Sequence, residues 1–143
     1  MTRNVHEFES GQPVTILMRL ARLVYLVSIL LLIAGIFVEV FFAGESMLVN
    51  ASAVIQHQQL GKLLSLVPIL ILVTAFLSRS PRRLLWWSGA PAVLMSLQYI
   101  FLYGIEGLTL PLELKALHAV NALVIFWVAQ YLARSAWKLL RAR

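Results

Sequence analysis

Four long apolar runs decide what this chain can fold into. They lie at about 20–43, 57–77, 84–104 and 114–134, and each is long enough to cross ~30 Å of hydrocarbon at ~1.5 Å per residue. Barrel strands would be half as long and would alternate in polarity, so the runs read as membrane-spanning helices that satisfy their own backbone. Composition agrees. Of 143 residues, 61% are hydrophobic and 13% charged, too apolar for a water-facing surface on one small domain.

The links between the runs are short, and short links make sequential helices run antiparallel. The fold expected is therefore an all-α membrane protein, an antiparallel up-down four-helix transmembrane bundle over residues 20–136. A tail of residues 1–19 precedes it and a basic tail of residues 137–143 follows. SRSPRR, with Pro81, closes the second run, and Gly104 closes the third. The first nineteen residues carry acids and no small-residue cleavage site, which reads as a cytosolic tail before a retained span rather than a cleaved signal peptide.

Charge sets the expected orientation. Arg3, Arg19 and Arg22 precede the first run, and Arg79, Arg82 and Arg83 lie between the second and third. Arg134, Lys138, Arg141 and Arg143 follow the fourth, leaving Lys62 and Lys115 at the opposite ends. By the positive-inside rule, both termini face the cytoplasm of a bacterial inner membrane. The net charge of +6 is then topology and contact with anionic lipid, which argues against nucleic acid as a partner.

No cysteine is present, which excludes disulfides, thiolate-held metals, iron–sulfur clusters and thioether-attached heme. What remains is a histidine pair. His57 opens the second run and His118 the fourth, both from the outer side and at similar depth. Two imidazoles at one level on two helices of a bundle can supply both axial ligands of one heme b iron. Gly61 follows His57 by one turn and Ala122 follows His118 by one turn, small residues that leave room for a porphyrin face. Lys115 could pair a propionate, and Asn121, Gln98 or a main-chain carbonyl could hold the non-ligating imidazole nitrogens.

Plainer readings exist for each. A histidine at a span end can be an interfacial polar residue, and Gly61 and Ala122 can be ordinary small-residue packing. Gln98 can be an inter-helix hydrogen bond. Glu39, an acid near the outer end of the first run, is a functional candidate by default, but it can also be neutral, reach the interface or pair with Lys62. Two histidines without further carboxylate or cysteine ligands at suitable spacing make a poor zinc site. No catalytic residue is assigned, since no nucleophile stands with a base.

The succession QHQQLG, LMSLQYIFLYGIEG and LKALHAVNALVIFWVAQYLARS resembles one half of heme A synthase, over about residues 20–136. The LH-x-x-NA element is also similar to one in a family of small uncharacterised four-span bacterial membrane proteins. The resemblance implies a four-helix bundle in which paired histidines bind heme near the outer face, at the positions of His57 and His118, with Gln98, Gly104 and Ala122 in the matching motifs. Two departures stand out. The synthase has an acid three residues before its first histidine and an arginine just after it, where this chain has Val54 and Gln58.

The function expected is thus a membrane-embedded, b-type cytochrome-like protein, one heme between His57 and His118, serving electron transport. It would be a heme-binding electron-transfer or accessory subunit, partnered by lipid and by other membrane redox subunits or a second copy of itself. One alternative is a cofactor-free or pigment-binding structural subunit of a respiratory or photosynthetic complex. Another is a half-size heme-modifying enzyme that acts as a dimer.

Overall fold

A computed structural model of the chain describes residues 15–105 and 110–141. Among them, four helical segments are long and apolar enough to cross a membrane: Ile16–Leu48, Ala51–Leu77, Arg82–Tyr103 and Leu112–Arg141. They match the four apolar runs. His6, most of the N-terminal tail, the 106–109 part of the last loop and the final two residues lie outside the described residues.

Helix α1 (Ile16–Leu48) is longer than the run that announced it. The side chain of Thr15 caps it by accepting from the Met18 amide at 3.3 Å. Nothing between Gly44 and Leu48 breaks it, so the stretch that reads as a polar outer loop continues the helix. The reversal is confined to Val49–Asn50, whose amides both bond the Glu45 carbonyl at 2.9 Å. Asn50 then accepts from the Ser52 amide and starts a short 3-10 turn, Ala51–Ala53.

The second span comes in two pieces, α2 (Val54–Leu64) and α3 (Val67–Leu77). Pro68 explains the break, because its missing N–H and its ring remove the helical bond to the Leu64 carbonyl. The last turn of α2 tightens, with Leu66 N bonding Leu63 O at 3.2 Å. After α3 the chain turns through Arg79 in the left-handed region (φ 50), and the Ser80 amide reaches back to the Ala75 carbonyl at 3.2 Å. Pro81 then leads into α4 (Arg82–Tyr103), which ends at Gly104 with φ 78, as the sequence anticipates. A one-turn helix α5 (Leu112–Lys115) precedes α6 (Leu117–Arg141), so the helix runs on into the residues read as the C-terminal tail.

The four spans form a ring. α1 packs on α3 and α6, and α4 packs on α3 and α6, while no Cα of α2 or α3 comes within 8 Å of one on α6, nor of α1 on α4. Neighbours run in opposite directions: Arg22, early in α1, bonds the Leu139 carbonyl, late in α6, at 3.1 Å. At the other end Glu39 of α1 meets His57 of α2.

Packing is uneven along the bundle. The buried apolar cluster, including Tyr25, Ile29, Leu32, Ile71, Ile125 and Leu132, fills the half nearer the termini. Towards the opposite end the buried apolar side chains among the described residues are Ala53 and Leu64. Leu64 seats against Gly35, where any Cβ would collide with it. Outward faces are apolar, with Phe37, Trp86 and Leu123 each more than 60% exposed, a surface suited to lipid rather than water.

Candidate functional site

The thinly packed end of the bundle carries Glu39, His57, Gln98, His118 and Asn121. Because α1 and α2 form a helical hairpin about Val49–Asn50, residues roughly equidistant from that turn face each other. Glu39 and His57 are such a pair. His57 Nδ1 lies 3.1 Å from the Glu39 main-chain carbonyl and also against the Glu39 carboxylate. Both partners are acceptors, so Nδ1 carries the ring proton. In a neutral imidazole the other nitrogen, Nε2, is then the bare lone pair, which is the form that binds a metal.

Neither Glu39 carboxylate oxygen makes a well-formed hydrogen bond among the described residues, the close contact with His57 included. Glu39 Oε1 lies over position 61, where a Cβ would meet it at 3.4 Å, an ordinary van der Waals contact. Lys62, the other partner considered for Glu39, is exposed.

His118 is the second residue of α6, just after the kink at Ala116 that separates it from α5. It faces His57 across the diagonal that no backbone bridges, with ring centroids 6.2 Å apart and ring planes at 75°. Its Nδ1 is enclosed and makes no well-formed hydrogen bond among the described residues, although the Gln98 main-chain carbonyl lies near the ring.

The other residues singled out from sequence fall into two groups. Asn121 and Gln98 are buried and bond each other: Asn121 Nδ2 donates to Gln98 Oε1 at 2.7 Å and to the Leu94 carbonyl at 2.8 Å. They tie α6 to α4, and neither side chain bonds an imidazole. Gly61 and Ala122 are both half-buried, one turn along from His57 and His118. Gly61 lies beside the Glu39 carboxylate. Lys115 is exposed at the end of α5. Glu39 stands out from sequence only as an acid in a span. Its partner becomes readable once the α1–α2 turn is fixed, because the hairpin then sets which residues oppose.

Can these residues hold a metal group? Among the described residues no three histidine, cysteine or acidic side chains come together as a metal-ligand set. A bare ion such as zinc needs three or four protein ligands. A heme iron needs at most two, because the porphyrin supplies the rest. The ring centroids stand 6.2 Å apart with planes at 75°, an edge-to-face arrangement. Two imidazoles sharing one iron would need a centroid spacing of roughly 6.3 Å, so His57 and His118 are the two residues that would hold such a group.

Comparison with known proteins adds one match. The model of a family of unknown function (DUF6220) matches residues 39–104, a stretch that takes in Glu39, His57, Gly61 and Gln98 but stops short of His118 and Asn121. No curated protein and no solved structure matches the chain.

Proposed function

We propose that the chain is a membrane-embedded, b-type cytochrome-like protein holding one heme b between His57 and His118. The observation that carries this is the imidazole pair, 6.2 Å between centroids, set across a diagonal that the helix backbones leave open. The protonated Nδ1 of His57, which leaves Nε2 as the lone-pair nitrogen, supports the same reading. When bound, a bis-imidazole heme supplies one-electron oxidation and reduction of its iron, with both axial positions filled and so little affinity for oxygen. The chain's own part is to fix the two rings, exclude water with lipid-facing helices and place the group at one end of the bundle.

In this reading the spans run up and down through a bacterial inner membrane. The basic end, with Arg22, Arg79, Arg82, Arg83 and Arg134, faces the cytoplasm along with both termini. The histidines then lie near the outer face, where a quinone, a periplasmic carrier or another membrane redox subunit could exchange electrons with the site. The similarity to one half of heme A synthase points to the same cofactor. It does not extend to that enzyme's chemistry, since Val54 and Gln58 stand where its acid and arginine would be.

Two observations favour a different reading, a cofactor-free structural subunit of a larger complex. Glu39, not open space, lies over Gly61, and the Asn121–Gln98 bond is complete without any added group. The two readings separate in one measurement. The chain, purified from heme-sufficient cells, should give a pyridine hemochrome spectrum of heme b at about one per chain. A well-folded, heme-replete preparation without Soret and alpha bands would refute the first reading and leave the second.

A further inference from the structure

Glu39 is not needed to orient His57. The main-chain carbonyl of the same residue already accepts from Nδ1 at 3.1 Å, and it would do so whatever the side chain. Yet an acid is kept there, on an apolar span, at a cost of about 2.5–3.5 kcal/mol at the middle of a membrane helix and less towards its ends. The carboxylate lies beside Gly61, and among the described residues it makes no well-formed hydrogen bond that would account for it as a fold-building contact. The carboxylate lies against the imidazole of His57.

We propose that Glu39 is a positioning residue that acts through His57, making that imidazole the more strongly donating of two unequal axial ligands. The inference rests on the heme reading above. A carboxylate that accepts from the far nitrogen of a ligating imidazole raises the basicity of the near one, and such partners tune a metal as much as its ligands do. Among the described residues no carboxylate lies against His118, and the polar group near its ring is the Gln98 main-chain carbonyl. The site is therefore electronically lopsided, with the stronger donor on α2. A carboxylate on one ligand favours the ferric state and holds the potential down.

Two measurements on the full chain in detergent or nanodiscs test this, one of which needs no heme. The chain has 3 histidines, so ¹⁵N-histidine labelling resolves each ring. The His57 Nδ1–H proton should resonate far downfield, as charge-assisted hydrogen bonds do, and E39Q, which keeps the shape and removes the charge, should move it upfield. In heme-loaded protein E39Q should retain the heme stoichiometry and raise the midpoint potential, while E39D, with the charge kept, should stay closer to wild type on both measurements. If E39Q fails to fold, E39D against wild type decides, since withdrawing the carboxylate by one methylene must weaken both effects. Heme bound normally, with resonance and potential unchanged in these variants, would overturn the role of Glu39 and leave the heme reading intact. A shifted resonance in a protein that never binds heme would overturn the heme reading, and ligand tuning with it, while leaving the Glu39–His57 contact established.

Discussion

Tyr25 of α1 reaches Ser88 of α4 across one diagonal of the bundle, and His57 of α2 faces His118 of α6 across the other. The first crossing is closed. Tyr25 and Ser88 meet at 2.7 Å, fully buried, and Ser88 donates onward to the Leu84 carbonyl at 2.8 Å, so every proton has an acceptor. Around it lies the apolar cluster. The second crossing is open: the ring centroids stand 6.2 Å apart, Nδ1 of His118 makes no well-formed bond among the described residues, and a carboxylate lies beside His57. Buried polar groups that serve folding alone are normally satisfied by the fold itself. The first crossing meets that standard and the second, among the described residues, does not, which sets the second apart as the candidate site.

The largest effect should come from breaking the open crossing. His57→Ala and His118→Ala should each lower bound heme from about one per chain to below a tenth, read by pyridine hemochrome. Helix content by circular dichroism should be retained, because the apolar cluster lies at the other end of the bundle. Tyr25→Phe should leave heme loading unchanged. Were the tyrosine variant to lose heme as completely as the histidine variants, the division between the two crossings would collapse.

Next in size is Gly35→Val. Gly35 lies one turn before Glu39 on the same face of α1, and Leu64 of α2 occupies the place of any side chain there. Overpacking of this kind costs about 1–3 kcal/mol, measurable as a lowered midpoint in denaturant titration in detergent. Where the clash is relieved by α2 moving off α1 rather than by Leu64 changing rotamer, heme loading should fall along with stability. Stability lost with loading untouched would show that the α1–α2 seam does not set the position of His57.

The sequence shows one crossing better than the other, for physical reasons. Four spans, the stops at Pro81 and Gly104, and the matched depth of His57 and His118 follow from hydropathy, turn chemistry and counting. Long-range partners do not. Asn121 and Gln98 each look able to hold an imidazole nitrogen, but which of several polar side chains they meet depends on helix rotation, which no local pattern specifies; the bundle turns them onto one another. Glu39 was ambiguous for a related reason, since GESML reads as loop and hides how close the turn at Val49–Asn50 lies. Nor does anything local mark Tyr25 as the partner of Ser88, since tyrosine and serine are unremarkable in a membrane helix.

Asn121→Ala should cost about 1–2 kcal/mol, because it leaves Gln98 Oε1 buried without its donor. Denaturant titration checks the cost, and retained heme would assign Asn121 to the scaffold rather than to the cofactor.

The smallest effect belongs to the closed crossing. Tyr25→Phe removes one hydroxyl and orphans nothing, because Ser88 keeps the Leu84 carbonyl as its acceptor. Side-chain hydrogen bonds between membrane helices average about 0.6 kcal/mol, and the ring itself, buried against Ile29 and Leu32 in the apolar cluster, stays. A loss near that figure is therefore expected in the same titration. A loss of several kcal/mol would mean that Tyr25 pins the bundle's geometry rather than completing it. The two crossings would then differ in where they sit along the helices and not in kind, and the open one would need its own evidence of a ligand before any function could be assigned to it.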